Sequence, residues 1–253
     1  MPRFEIVAET GSTNDDVLTL ARLGAVHGTA ILAFSQRQGR GRLGRQWYSP
    51  MGSGLYGSVL LRSRIARELY PRLTLVAGVA TAAAIEEQTG VSPQLKWPND
   101  LYLGGKKCGG ILIEAVFTGD GDYAVAGIGV NCGTFTDAAP QEVRQRAAAL
   151  WQTIPNAHRP ESLFAAIHEG LLASVAECET SGEYGFAKFL AKWRQRDGFY
   201  GQRLAWAGPN GTKVIGESAG INDEGDLLLV DEQGSLRAIN CGEVQPAACL
   251  CEI

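Results

Sequence analysis

Polar and apolar residues alternate over positions 3–8, the two-residue period of a half-buried strand, and the pattern then turns helical. Ser12-Thr13-Asn14-Asp15-Asp16 supplies cap residues and early acids for a helix ending near Gly24. Residues 29–35 and 55–61 are apolar runs of β type, joined by a long segment rich in glycine and arginine. Over 71–88, Leu73, Val76, Ala77, Ala80, Ala84 and Ile85 recur at helical spacing and predict a core helix. Residues 95–103 read as one strand interrupted at Pro98 and resumed after it. Gly104-Gly105 then marks a two-residue hairpin, and 106–114 forms the return strand. Gly109 and Gly110 inside that strand predict a bulge or a close backbone approach. Asp120-Gly121-Asp122 turns the chain into a further strand over 123–131, with spaced glycines.

Helices are expected over 141–151, 162–177 and 184–196, with Pro155 and Pro160 between the first two. From about Gly201 the texture changes to short strands separated by P-N-G, N-D-E-G and E-Q-G turns, which suggests a small β-barrel or sandwich. The expected division is a domain over 1–199 and a second over 200–253.

The chain has 253 residues, 45% of them hydrophobic, enough to bury a full core. A net charge of -4 and a pI near 5.5 argue against broad attraction to nucleic acid or an anionic membrane. No signal peptide or membrane-spanning run is visible, so a cytoplasmic protein is expected. Six cysteines lack C-x-x-C spacing and read as reduced thiols; even Cys249-x-Cys251 warrants no metal site. His27, His158 and His168 share no motif.

Positive charge is instead local. Gln36 to Trp47 reads Q-R-Q-G-R-G-R-L-G-R-Q-W, where glycines free the backbone and guanidinium forks suit a phosphate or carboxylate. The segment is neither a G-x-x-x-x-G-K-[ST] loop nor a G-x-G-x-x-G turn, so the residues themselves indicate an anion site, most simply for a nucleotide. Ser12, Thr13 and Asn14 have a helix-capping reading and a ligand-binding one. By periodicity, Lys96, Asp100 and Lys107 would be a solvated charged hairpin. Asn131 is a strand terminator or a ligand contact.

Four segments combine: Ser12-Thr13-Asn14, G-R-G-R-L-G-R-Q-W, Lys96-Trp97-Pro98-Asn99-Asp100 followed by Lys107-Cys108-Gly109-Gly110-Ile111-Leu112, and Gly127-Ile128-Gly129-Val130-Asn131. In order and spacing they closely resemble the biotin protein ligases. The resemblance implies an α+β fold of the class II aminoacyl-tRNA synthetase/biotin ligase type. This is a mixed, largely antiparallel sheet with flanking helices, plus a C-terminal barrel like that of Src-homology-3 domains. It also implies that biotin and MgATP give biotinyl-5′-AMP, which is passed to a lysine of a biotin carboxyl carrier protein.

Carried onto this chain, the resemblance makes Lys107, Arg42 and Arg40 the catalytic cations. Ser12, Thr13, Asn14, Gln36, Arg40, Gly41, Arg42, Lys107, Gly109 and Gly110 would bind biotin. ATP would meet Arg40, Arg42, Trp47, Lys96, Asn99, Lys107 and Asn131, with Trp47 near adenine. Mg²⁺ would arrive with ATP, and no protein metal site is expected. Arg37 and Arg45 would be solvated charge. The loop would close as a lid that keeps a reactive anhydride from water.

Because the catalytic pattern starts within the first residues, a ligase without the DNA-binding repressor domain of some relatives is expected. A homodimer through an antiparallel edge of the main sheet is also implied. Three other readings compete. A lipoate or octanoate ligase would share the fold but lack this arginine loop. A non-enzymatic biotin or nucleotide sensor is disfavoured by the presence of both Lys107 and Arg42. A DNA or RNA contact is disfavoured by the acidic balance.

Overall fold

The computed structural model describes residues 3–119, 121–152, 159–208 and 211–247. Its first part runs β1 (Phe4–Val7), α1 (Thr13–Arg22), β2 (Ala30–Ala33), β3 (Gly54–Leu61), α2 (Leu73–Thr89), β4 (Gln94–Lys96), β5 (Asp100–Leu103), β6 (Lys106–Val116) and β7 (Tyr123–Asn131). There follow α3 (Gln141–Arg146), α4 (Pro160–Ser181), α5 (Glu183–Gln195), β8 (Arg203–Ala207), β9 (Lys213–Ile221), β10 (Leu227–Asp231), β11 (Leu236–Ile239) and β12 (Glu243–Pro246).

Seven strands form one sheet in the order β1-β2-β3-β7-β6-β5-β4. Only β1 and β2 run parallel; the other neighbours are antiparallel, as the mixed α+β expectation has it. Alternation along β2 and β3 sorts residues between the two faces. Ala30, Leu32, Leu55, Val59 and Leu61 pack with α2, α4 and α5, whereas Ile31 and Leu60 join Val17, Leu18 and Ala21 of α1 on the opposite face. Each helix stripe therefore has its own half of the sheet, and the cleft described below opens on the α1 face.

Two expectations change and one holds. The 95–103 segment is not one strand resumed after proline. β4 and β5 pair antiparallel, with Lys96 opposite Asp100, so the chain reverses through Trp97-Pro98-Asn99. The helix expected over 141–151 stops at Arg146, because Ala147 bridges to Lys107 and Ala148 N–H donates to the Lys107 carbonyl at 2.9 Å. That pairing overrides the helical preference of three successive alanines. Gly104 and Gly105 do take the positive φ of a tight hairpin, 56° and 76°.

The C-terminal strands form a separate five-stranded antiparallel sheet in the order β11-β10-β9-β8-β12. Its edge strands β11 and β12 do not pair with each other among the described residues. Pro155, His158, Pro209, Asn210, Cys249 and Cys251 lie outside the described residues.

Candidate active site

The first residues of α1 form one wall of the cleft. Ser12 occupies the N-cap position, yet its side chain makes no capping bond. Gln36 from the loop supplies the cap instead: its Oε1 accepts from Thr13 N–H at 2.9 Å and lies 3.1 Å from Thr13 Oγ1. The capping reading of Ser12 is thus corrected, and its hydroxyl is left facing the cleft it lines. Asn14 donates from Nδ2 to Glu114 Oε2 at 2.6 Å and accepts from Ser58 Oγ at 2.6 Å. Gly127 makes room for it, since a Cβ there would sit 2.3 Å from Asn14 Oδ1.

The 36–47 loop closes the second wall. Arg37 N–H and Gln38 N–H donate to the Thr10 and Gly11 carbonyls, Trp47 N–H to the Gly39 carbonyl, and Gly41 N–H to the Arg45 carbonyl at 2.7 Å. Glycine is required at 39 by contact, because a Cβ would lie 2.5 Å from the Trp47 carbonyl oxygen. Of the three loop glycines only Gly44 is left-handed, at φ 74°, and Leu43 joins it at φ 56°.

The arginines have distinct partners. Arg40 Nη2 lies 2.7 Å from both Asp15 Oδ1 and Glu114 Oε2, so this guanidinium binds two carboxylates of the protein. Arg42, whose pKa is lowered by burial against the opposing charge of Asp100, donates to Asn99 Oδ1 and to the Gly242 carbonyl, each at 3.2 Å. Arg45 pairs with Glu243 of β12 and Arg37 with Glu9, and both side chains stay more than half exposed, as expected of solvated charge.

The floor comes from β5, β6 and β7. Leu101 faces Gly109 while the next residue, Tyr102, faces Lys107, which leaves Cys108 as the extra residue of a bulge. Cys108 is buried in the core, and burial pushes its thiol up to about 12. Lys107 is thereby turned to the cleft face beside Gly110. Lys107 Nζ lies 2.6 Å from Asp100 Oδ1 and 5.2 Å from the centre of the Trp47 ring. The Trp47 indole lies against Gly129, where a Cβ would come within 2.7 Å, and its Nε1 is buried without a partner among the described residues.

Lys96 is 7% exposed, 3.8 Å from Asp100 Oδ2 and near the Tyr102 and Phe199 rings, so the solvated-hairpin reading of Lys96, Asp100 and Lys107 does not hold. Burial lowers the Lys96 pKa and Asp100 opposes that shift.

Most expected site residues therefore meet in one cleft: Ser12, Thr13, Asn14, Gln36, Arg40, Gly41, Arg42, Trp47, Lys96, Asn99, Lys107 and Gly110. Gly109 and Asn131 do not line it. Asn131 is buried at the end of β7 and donates to the Lys107 carbonyl at 3.2 Å, a bond that holds the strand carrying Lys107. Gly109 faces away, with Leu101 and the Gly129 carbonyl around it. Residues that sequence reasoning passed over are Ser58, Glu114 and Glu243. Ser58 is a polar residue inside an apolar strand and Glu114 is in phase with Gly110, two signals that were available. Nothing local marks Glu243. Among the described residues no group of three or more His, Cys, Asp or Glu could hold a metal ion.

Chemically, the cleft has an uncharged polar end, made by Ser12, Thr13 and Gln36, and a cationic end, made by Lys107, Lys96 and Arg42 around Asp100. Such a site suits a ligand with a polar uncharged head and an anionic end.

Residues 10–131 match the biotin/lipoate A/B protein ligase family. The chain is 34% identical over 224 residues to the bifunctional ligase/repressor BirA of Bacillus subtilis, covering 88% of this chain and 68% of that protein. It is 34% identical to the biotin–[acetyl-CoA-carboxylase] ligase of Paracoccus denitrificans, covering 88% and 92% of the two chains. The biotin protein ligase of Aquifex aeolicus in complex with biotin and ATP superposes with a TM-score of 0.83 at 28% identity, over 98% of this chain and 100% of that one.

Proposed function

This chain belongs to the biotin/lipoate A/B protein ligase family, and from that premise we propose that the cleft beneath the 36–47 loop is where biotin meets ATP. The protein activates biotin with MgATP to biotinyl-5′-AMP and transfers the biotinyl group to a lysine of a biotin carboxyl carrier protein. The biotin carboxylate attacks the α-phosphorus and pyrophosphate leaves; the carrier amine then attacks the acyl carbon and AMP leaves. Both partners of the first step are anions, so the chain's main task is to hold them together against their repulsion.

The observation that carries the site assignment is Lys107, turned into the cleft by the Cys108 bulge and held at 2.6 Å by Asp100. Lys107 would hold the carboxylate and the α-phosphate, with Arg42 retaining the adenylate and Lys96 completing the cationic end. The fused rings of biotin would lie between Ser12, Thr13 and Gln36, leaving the acyl tail directed at Lys107. Arg40 is assigned to holding the loop, through Glu114 and Asp15.

Mg²⁺ fits as a metal carried on the triphosphate. The cleft carboxylates Asp100, Glu114 and Glu243 already pair with Lys107, Arg40 and Arg45, and Mg²⁺ commonly needs only phosphates, water and one or two carboxylates. Asp100 is the carboxylate assigned to its water shell. Bound there, Mg²⁺ would offset phosphate charge.

The expected test is direct. Lys107→Ala should lower biotin-dependent pyrophosphate release by on the order of 100-fold, the scale of removing a group that stabilises developing charge. Near-normal release would refute the assignment, and release driven by lipoate in place of biotin would refute the substrate.

We take 1–199 as the catalytic domain and 200–253 as the small C-terminal one, which reaches the site through Gly242 and Glu243. The protein is assigned to the cytoplasm, where ATP and reduced thiols such as Cys108 and Cys132 are at home; no described helix is long and apolar enough to cross a membrane. A homodimer is assigned to the β1 edge, because the antiparallel edge strand β4 is covered: Leu95 N–H donates to the Arg196 carbonyl at 2.7 Å, and Gly198 N–H donates to the Leu95 carbonyl at 3.1 Å. Solution mass tests this.

A further inference from the structure

The hydrogen bonds around the cleft form a continuous chain, and counting protons gives its direction. A carboxylate only accepts, so Glu114 requires Asn14 to turn its NH₂ toward Oε2, where it stands at 2.6 Å. Asn14 Oδ1 then faces Ser58 Oγ at 2.6 Å, and an amide oxygen also only accepts. The single hydroxyl proton of Ser58, a fully buried residue, is thereby committed to Asn14. Ser58 Oγ lies 2.7 Å from Thr13 Oγ1, so that contact must be made by the proton of Thr13.

Gln36 cannot reverse this. Its Oε1 is held by Thr13 N–H at 2.9 Å, and its Nε2 donates to Ser49 Oγ at 3.1 Å. The Thr13 hydroxyl, with its proton turned to Ser58, presents lone pairs to the cleft it lines. Close by, Gln36 Oε1 is a second acceptor, 3.1 Å away. Two acceptors side by side ask for a ligand N–H. The ureido ring of biotin carries two, and the dithiolane ring of a lipoyl group carries none.

We propose that Glu114 is a specificity-determining positioning residue: acting through Asn14 and Ser58, it makes the Thr13 hydroxyl an acceptor for a ring N–H of the substrate. The inference rests on biotin being that substrate. Glu114 touches no substrate atom in this scheme; its charge sets the polarity of three neutral side chains in sequence. Its second partner, Arg40 at 2.7 Å, ties the same chain to the loop.

The experiment compares pyrophosphate release by the wild-type chain, Glu114→Gln and Ser58→Ala. The substrates are biotin and the two analogues in which one or the other ureido N–H is replaced by ring oxygen. The wild type should favour biotin over the analogue lacking the contacted N–H by on the order of 100-fold, since that analogue leaves buried acceptors facing each other. In Glu114→Gln the Asn14 amide is free to flip, so that preference should fall to about 10-fold or less, with KM for biotin raised about 10-fold and KM for ATP unchanged. Ser58→Ala, which cuts the chain without touching Arg40, should lose the same preference.

Loss of the Arg40 contact alone would weaken biotin and both analogues equally, so the ratio separates polarity from mere support of the loop. A wild type that uses biotin but does not discriminate would overturn the inference, as would variants that keep the full preference. A wild type with no biotin-dependent release would overturn the biotin reading itself.

Discussion

At the residue scale, the cationic end of the cleft is a compromise. One carboxylate, Asp100, serves two ammonium groups, Lys107 at 2.6 Å and Lys96 at 3.8 Å. Lys96 is the costly member, because burial lowers its pKa from the ordinary 10.5. The sign follows from proton binding: between the lowered native value and 10.5 the unfolded chain binds more protons, so stability rises with pH across that window. Below it both states are protonated and the cost is constant. Lys96→Met keeps the aliphatic stem and removes the charge, while Asp100 retains Lys107. It should raise stability by about 1 kcal/mol near neutral pH, flatten the alkaline rise, and increase KM for ATP about 10-fold. Denaturant melts from about pH 7 to 10 check this; a loss of stability would mean that pairing with Asp100 outweighs desolvation.

At the element scale, two strands carry the site through departures from regular pleating. The bulge on β6 buries Cys108 on one face and turns Lys107 to the other, so a residue that alternation assigns to the core becomes the central cation. On β7, Gly127 and Gly129 leave the space occupied by the Asn14 amide and the Trp47 indole. Gly129→Ala should leave the sheet intact, because alanine adopts strand dihedrals. Its Cβ would meet the indole at 2.7 Å and displace it from beneath Lys107. The expected result is a stability loss of about 1–2 kcal/mol with a fall in kcat/KM for ATP of ~10-fold or more. Tryptophan fluorescence and steady-state kinetics on the one variant test both parts, and unchanged kinetics would remove Trp47 from the nucleotide end.

At the scale of the whole molecule, the seven-stranded sheet has one covered edge and one open one. β1 presents Phe4 and Ile6, 41% and 46% exposed, beside backbone groups without a neighbouring strand among the described residues. A two-fold axis at this edge would pair β1 with its own copy and extend the sheet across both chains. The expected solution mass is twice 27.0 kDa, and Ile6→Lys should return it to that of one chain. A single-chain mass for the unaltered protein, with and without biotin, would end the proposal. The C-terminal sheet acts over a comparable distance. It brings the Gly242 carbonyl to Arg42 and the Glu243 carboxylate to Arg45, so a loop near the start of the chain is fastened at β12, the last of the described strands.

The sequence by itself determined most of the strands and helices and the hairpin at Gly104-Gly105, because periodicity and turn glycines are local properties; the residues expected in the cleft came from the resemblance to the biotin protein ligases. A bulge in this strand was legible from Gly109-Gly110, though neither its position at Cys108 nor its consequence for Lys107 was. Tertiary structure alone decided the reversal at Pro98, the early end of α3 and the true cap of α1, since each depends on a backbone or side-chain partner distant along the chain. It also decided which charges are engaged. Lys96 and Asp100 look solvated in a hairpin and Arg40 looks free for a phosphate, until Phe199 and Glu114 are folded against them. Pairing and burial, which set the behaviour of an ionised group, are properties of the assembled fold.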